Sequence, residues 1–403
     1  MGIFDAVDVC EVCTNPDLKS VLDLGMHPLC DDLIQINDKK ISKEFPVEIM
    51  LCENCLTAFQ RFQVPREELF TTDYHYRARM TGSVLSGMKD LVSEVEKFYG
   101  SLQNLKVLDV GSNDGSLLEF FQARGAVVLG VEPTGAYMDS KVPVLNCFFD
   151  SDALEKVIAT LGTPDIIVFT NVFAHIENLP KLIENLKLIM HSRTRVIIEN
   201  HYLGSVLKYG QFDTFYHEHP RTYSAKSFEF IAEDLDRKIE QIQFVSRYGG
   251  NIRVFIGPKK LESSLTEMPS EMWFIDGFSR LRDYINEWKI SKKQEIVKLN
   301  NLHGPLSAKA FPGRAAILIK LLDLDTTNIA SVYEISGSIK TGHYVPGTRI
   351  PILPEVELFG RIIETDLILN MAWHISSEVR SNLIENGFSG EVVDIVDFKE
   401  INL

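Results

Sequence analysis

The sequence lacks a surplus of positive charge, any long apolar run and a rich supply of cysteine, and each absence removes a class of function. Lysine and arginine number 41 against 56 aspartates and glutamates, a formal charge of -15. Such a chain offers no broad basic footprint for a nucleic-acid backbone or an anionic membrane, so neither is expected as a partner. A small phosphorylated ligand stays compatible, because a few arginines or a helix N-terminus can hold one locally. No segment approaches the roughly 18 uninterrupted apolar residues of a spanning helix. The opening MGIFDAVDVC has no basic-then-apolar order of a secretory signal, and a cytoplasmic protein is expected. Six cysteines in 403 residues, four of them regularly spaced, are too few for a disulfide framework.

What is present is ordinary globular material, 45% apolar and 24% charged, in a chain too long for one hydrophobic core. Residues 1–70 are short apolar runs broken by Asn15-Pro16, Pro28 and Pro46, with cysteine pairs at both ends, and read as a small loop-rich module. Over 71–260 the runs KVLDVG, VVLGVE, DIIVFTN and TRVIIEN alternate with helical patterns, which predicts a parallel sheet with crossover helices. Over 261–300, Trp273, Phe274, Phe278, Leu281, Tyr284, Ile285 and Trp288 recur at three- and four-residue spacing, predicting a connecting amphipathic helix. Residues 301–403 repeat the strand and helix alternation and predict a second α/β unit.

Cys10-x2-Cys13 and Cys52-x2-Cys55 supply four thiolates, a complete tetrahedral set for Zn2+. With every position filled by protein, the metal is expected to be structural and to clamp a module whose own core is small. Cys30 and Cys147 read as buried apolar residues.

The strand KVLDV runs into Gly111-Ser112-Asn113-Asp114-Gly115 and then a helix, so glycines let the backbone turn tightly at a helix N-terminus. A dinucleotide fingerprint needs glycine where Asn113 and Ser116 stand. Glu132, at the end of the next strand, suits the hydroxyls of a ribose, so adenosine without a diphosphate fits best. The D-x-G-x-N-x-G loop with this glutamate resembles the class I methyltransferase signature, with Asp109, Gly111, Asn113, Gly115 and Glu132 in the corresponding positions. Phe148, Phe149 and Asp150 follow the third strand, where an adenine ring is expected, and Asn171 closes the fourth.

Asn171-Val172-Phe173-Ala174-His175 places a histidine at the carboxyl edge of the sheet, where open α/β folds collect ligands. The run Phe212-Asp213-Thr214-Phe215-Tyr216-His217-Glu218-His219 concentrates titratable groups among aromatics. Neutral histidine beside a phenol and a carboxylate is the equipment for removing a proton next to a carbonyl. Metal binding by this run is disfavoured, since its spacing is not His-Glu-x-x-His.

The ordered set of CxxC pairs, DYHYRAR, LDVGSNDGSLL, GVEP, NVFAHI, FDTFYHEHPRTYS, RYGGNIRVF and GHYVPGTRIPI resembles the sugar C-methyltransferases that act on nucleotide-linked keto-sugars. The resemblance implies an α/β fold with a zinc-binding N-terminal domain, a central class I methyltransferase domain of Rossmann-like build binding S-adenosylmethionine, and a C-terminal Rossmann-like domain. It implies that His219 is the general base at carbon 3 beside a 4-keto group. Tyr216, Glu218, His175 and Tyr76 then line the sugar pocket, and Lys309, Arg314, Lys340 and Arg349 are candidate contacts for the carrier's phosphates.

The chain departs from that pattern at Ala308–Arg314, where Phe311 and Pro312 replace small residues, and at Tyr333-Glu334-Ile335-Ser336-Gly337. A different activated sugar therefore stays open. So do O-methylation of a small polar acceptor by the same base and a non-catalytic scaffold with the same fold. The oligomeric state is not legible.

Overall fold

Three sheets organise the chain, and the order of their strands fixes where a ligand can sit. The structure, a computed structural model, describes residues 6–70, 77–259, 267–362, 365–397 and 400–401.

The N-terminal sheet runs β1 (Leu18–Pro28), then β3 (Glu44–Cys52) and β4 (Thr57–Gln60), all antiparallel; β2 (Ile34–Gln35) lies outside it. The module is thus more regular than its loop-rich sequence suggests. Register shifts at Ser20/Leu22 and Asp23/Gly25 break the polar/apolar alternation of β1, which hides an eleven-residue strand from a period-two reading. The short helix α1 (Arg66–Leu69) closes the module.

The central unit opens with α2 (Gly82–Tyr99), whose buried Val84, Met88, Leu91, Val92 and Val95 form one helical stripe. Then follow β5 (Lys106–Val110), α3 (Ser116–Gln122), β6 (Val127–Val131), β7 (Val144–Leu145), α4 (Ser151–Thr160), β8 (Ile166–Thr170), α5 (Leu179–Ile189) and β9 (Arg195–His201). Strands β5, β6, β8 and β9 are almost wholly buried, as continuous β-branched runs covered on both faces require. After α6 (Leu203–Lys208) the chain makes β10 (Arg221–Thr222), which leaves this unit and joins the N-terminal sheet beside β4. Helix α7 (Ala225–Asp234), capped by Ser224 and Ser227, leads to β11 (Arg237–Val245) and β12 (Asn251–Pro258). The sheet order is β11-β12-β9-β8-β5-β6-β7. It is parallel except for β12, which runs antiparallel to both its neighbours. This is the class I methyltransferase-type α/β sheet, and its strand order reverses between β5 and β8.

Helix α8 (Phe274–His303) spans 30 residues and buries Phe274, Phe278, Leu281, Ile285, Trp288 and Ile296 on one face. It is bonded to the C-terminal sheet through Trp288 Nε1 to the Ile395 carbonyl and Lys292 Nζ to the Asp394 carbonyl, each at 2.9 Å. That sheet follows from β13 (Leu306–Lys309), α9 (Ala315–Leu322), β14 (Ile329–Glu334), β15 (His343–Tyr344), β16 (Ile352–Pro354), α10 (Glu355–Phe359), β17 (Leu367–Asn370), α11 (Ser376–Glu385) and β18 (Glu391–Asp394). Its order is β16-β14-β13-β17-β18, all parallel, so the direction of winding reverses at β13. Strand β15 pairs instead with β2.

Ligands of open α/β sheets bind beyond the carboxyl ends of the strands at such reversals. Both reversals open on one cavity of about 1520 Å³, which Cys30 and Asp31 of the N-terminal module also line. Among the described residues no helix is long and apolar enough to cross a membrane.

Candidate active site

On the β5 side of the cavity, Gly111, Asn113 and Gly115 adopt φ of 73°, 49° and 73°. A Cβ on Gly111 would meet Val172 Cγ2 at 2.5 Å, and one on Gly115 would strike the Ser140 hydroxyl. These glycines answer to their neighbours as well as to the turn. Glu132 holds the loop: its Oε2 accepts the Asn113 amide at 2.9 Å, and its Oε1 accepts the amide and hydroxyl of Thr134 at 2.9 and 2.6 Å. The Asn113 side chain accepts the Ala78 amide at 3.0 Å. Asp109 is buried under this loop, and burial together with the Glu132 carboxylate pushes its own carboxyl well above the usual range. Half-buried Phe149 and Phe148 form a wall, with the Arg66 guanidinium 4.2 Å over the Phe148 ring. Asp150 caps α4. Asn171, at φ 54°, accepts from Asn251 Nδ2 at 3.0 Å. A strand-end acid, a glycine-shaped loop and an aromatic wall fit an adenosine.

The histidines stand opposite this loop. His219 Nδ1 lies 2.9 Å from the Thr214 carbonyl, which can only accept, so Nδ1 carries the proton and Nε2 keeps its lone pair. The Tyr216 hydroxyl is 3.1 Å from that Nε2. His175 Nδ1 lies 2.6 Å from the Glu218 carbonyl and is likewise the protonated nitrogen. The His175 and His219 rings are 4.7 Å apart, and His201 at the end of β9 adds a third ring 5.4 Å from His219. Burial holds His175 down to about 4 and His201 to about 3, and His219 falls well below the ordinary histidine value through burial and its two neighbouring imidazoles. All three are neutral at neutral pH. Burial first, then Asp31, pushes the Glu218 carboxyl well above the usual range, and burial raises the Tyr216 phenol. His219, with the Tyr216 hydroxyl beside its Nε2, lines the cavity together with Glu218.

His217 parts from this group. It is 3% exposed, and its Nε2 bonds the Phe45 carbonyl at 3.2 Å in the N-terminal sheet. Tyr76 lies outside the described residues.

The candidate phosphate contacts are mostly engaged. Lys309 Nζ pairs with Glu355 at 2.9 Å, Arg314 with Asp213, and Arg349 holds the carbonyls of Asp38 and Lys40 at 2.7 and 2.8 Å, outside the cavity. Lys340 Nζ bonds the Phe311 carbonyl at 2.8 Å and has no carboxylate within ion-pair distance among the described residues. Glu334 accepts the Phe311 amide, so the divergent loop is clamped by the strand-end acid, as Glu132 clamps Asn113.

His201 and His374 are cavity residues that sequence reasoning passed over. The signal existed, since His201 is the last residue of β9 and His374 follows β17 as His175 follows β8. His374 is pushed well below the usual histidine range by burial and by Arg314, and its Nδ1 has no hydrogen-bond partner.

The four predicted metal ligands converge. Their sulfurs lie within 4.8 Å of one another, with Cys10–Cys55 and Cys13–Cys52 at 3.5 Å each. A tetrahedron with bonds of about 2.3 Å has edges of about 3.8 Å, so the set fits zinc. Thr14 and Leu56, just after each pair, take φ of 58° and 55°, which turns the knuckles back. Thr57 Oγ1 lies 3.0 Å from Cys55 Sγ and Asn15 Nδ2 3.6 Å from Cys52 Sγ, outer partners of the kind that orient thiolates. Among the described residues no other His, Cys, Asp and Glu group converges this way.

Three family models match in sequence: "Putative zinc binding domain" over residues 10–70, "Methyltransferase domain" over 76–242 and "C-methyltransferase C-terminal domain" over 246–391. The C-methyltransferase NovU of Streptomyces niveus is 26% identical over 398 residues, covering 94% of each chain. Among solved structures, magnesium protoporphyrin IX methyltransferase of Synechocystis PCC 6803 is 16% identical with a TM-score of 0.34, over 43% of this chain and 83% of that one. A methyltransferase of Aquifex aeolicus is also 16% identical, with a TM-score of 0.30 over 43% and 97%.

Proposed function

We propose that this S-adenosylmethionine-dependent methyltransferase, which carries a zinc-binding module, methylates carbon 3 of a nucleotide-linked 4-keto-deoxysugar through an enolate generated by His219. The observation that carries this reading is the Nε2 of His219. Its tautomer is fixed by Thr214, and it faces the same cavity as the Gly111–Gly115 loop.

S-adenosylmethionine, when bound, supplies an electrophilic methyl group. Asp109, Gly111, Asn113, Gly115, Glu132, Phe149 and Asn171 are the proposed cradle for it, with Glu132 toward the ribose and Phe149 toward the adenine. His219 Nε2 takes the proton from carbon 3, and the C–H electron pair moves into the carbonyl to give the enolate. That carbon would then form the new C–C bond to the methyl as the methyl–sulfur bond breaks, restoring the ketone and leaving S-adenosylhomocysteine.

A depressed histidine is a poor proton acceptor, so the enolate oxygen must be met by donors for the step to proceed. Burial pushes the Tyr216 phenol and the Glu218 carboxyl toward their protonated, hydrogen-bond-donating forms, the device by which an apolar site turns a carboxylic acid into a donor. His175, whose Nδ1–H is spent on the Glu218 carbonyl, offers an acceptor at Nε2 and suits a sugar hydroxyl. The carrier's phosphates are assigned to the side of Lys340.

The test is incubation with S-adenosylmethionine and a nucleotide-linked 4-keto-6-deoxysugar, beside His219→Asn. Gain of one methyl on carbon, with carbon-3 proton exchange in D2O that the variant lacks, is expected. Methylation at oxygen, or exchange that persists in His219→Asn, overturns the mechanism.

A further inference from the structure

We propose that Glu11 and Arg221 couple the metal knuckle to the two histidines, so that the four-cysteine cluster positions the base as well as stabilising its own module. The proposal rests on the reading of His219 as the base.

Arg221 stands two residues after His219 and is 1% exposed. Its guanidinium bonds Glu11, the residue after Cys10 in the first knuckle. Gln63 Nε2 holds the same Glu11 carboxylate at 3.1 Å. The guanidinium also donates to the carbonyl of Ile176 and, at 2.7 Å, to that of Glu177. Those two residues follow His175, and His175 bonds the Glu218 carbonyl next to His219. The contacts close a ring: knuckle, Glu11, Arg221, the 176–177 carbonyls, His175, Glu218 and back along the chain to Arg221.

The second knuckle grips the same segment. The Cys55 carbonyl accepts the hydroxyls of Ser224 and Ser227 at 2.9 and 3.3 Å, and Thr57 bridges Ser227 at 2.8 Å and Cys55 Sγ at 3.0 Å. Between them Arg221 and Thr222 pair in register with Phe59 and Ala58. Residues 220–227 are thus pinned to both metal-binding turns. A buried guanidinium spanning two loops transmits position well because losing one partner strands its charge.

Arg221 and Glu11 act through His175, whose Nδ1–H tautomer depends on the Glu218 carbonyl staying in place. The test compares Glu11→Gln and Arg221→Lys with the wild type and with His219→Asn. Both positioning variants are expected to lose kcat about tenfold, since sub-ångström misplacement of a base is costly, with KM for both substrates within about twofold. Cobalt-thiolate absorption should report an intact four-sulfur site in Glu11→Gln. Histidine 15N shifts should show His175 moving from one Nδ1–H tautomer to a mixture. Wild-type kcat with a single His175 tautomer in both variants overturns the coupling while leaving the base intact. Loss of activity only together with metal or cofactor binding overturns it as well. Full turnover by His219→Asn overturns instead the reading it rests on.

Discussion

Asp213 and Arg314 form a two-pronged ion pair, Nε to Oδ2 at 2.8 Å and Nη2 to Oδ1 at 2.5 Å, and Trp373 Nε1 adds a third donor to Oδ2 at 2.8 Å. Asp213 belongs to the run that carries His219, while Arg314 and Trp373 belong to the C-terminal sheet's loops. The pair therefore ties the segment that carries His219 to the C-terminal unit, and an arginine that sequence reasoning offers to phosphate is spent on a carboxylate.

Both partners are nearly buried, the side chains 1% and 10% exposed, so Asp213→Ala leaves a stranded guanidinium. A loss of about 3–5 kcal/mol is expected, as for a broken buried pair. Asp213→Ala with Arg314→Leu should recover a large part of it. Urea denaturation of the four species measures the cycle. Strict additivity would show that the two side chains do not depend on each other.

The buried histidines set a pH dependence with a definite sign. Folded His175 and His217 titrate at about 4 and His201 at about 3, against 6.5 when unperturbed. The unfolded chain binds their protons first, so their neutral forms support the fold fully above about 6.5 and progressively less as pH falls toward 4 and 3. The melting temperature should fall across that window. The acid limb of kcat/KM should likewise lie below 6.5, because His219 is depressed too. A limb at or above 6.5 would assign the base to a different group.

Much of this site is visible in the sequence because its residues sit at strand ends in one stretch of chain. Gly111, Glu132 and His175 mark carboxyl edges, His219 closes a dense run of titratable residues, and the cysteine spacing names its own chemistry. What hides is what depends on pairing between distant segments. The departure of β10 to the N-terminal sheet turns His217 toward Phe45 and brings Glu11 to Arg221, and no periodicity within 212–224 encodes either. The bulges in β1 disguise a strand as loops, and the pairing of Lys309, Arg314 and Arg349 shows only once three chain segments meet.

His217 and His219 make a controlled pair, two residues apart with opposite placements. His217→Asn should keep kcat within a few-fold of wild type, since the ring lies outside the cavity. It should lower stability by about 1–2 kcal/mol through the lost bond to Phe45. His219→Asn should abolish turnover with little change in the urea midpoint. Exchange of these two phenotypes would place the base at 217.

The cofactor loop makes a prediction that separates crowding from backbone strain. In Gly111→Ala the new methyl would sit 2.5 and 2.6 Å from the two Val172 methyls, at a φ of 73°. The left-handed backbone costs an alanine about 1–2 kcal/mol by itself. The collision forces the loop off its bond between the Asn113 amide and Glu132. S-adenosylmethionine affinity, measured by calorimetry, should therefore fall at least about tenfold, or about 1.4 kcal/mol. Val172→Ala alone removes two methyls from a half-buried side chain and should bind nearly as the wild type does. Combined with Gly111→Ala it removes the two contacts below 3 Å and leaves only the residue-172 Cβ at 3.1 Å, so the double variant should bind between the single variant and the wild type, keeping the backbone penalty and that residual tight contact. A double variant no better than Gly111→Ala would mean that φ alone governs this position, and that the approach of Val172 to the loop is incidental to cofactor binding.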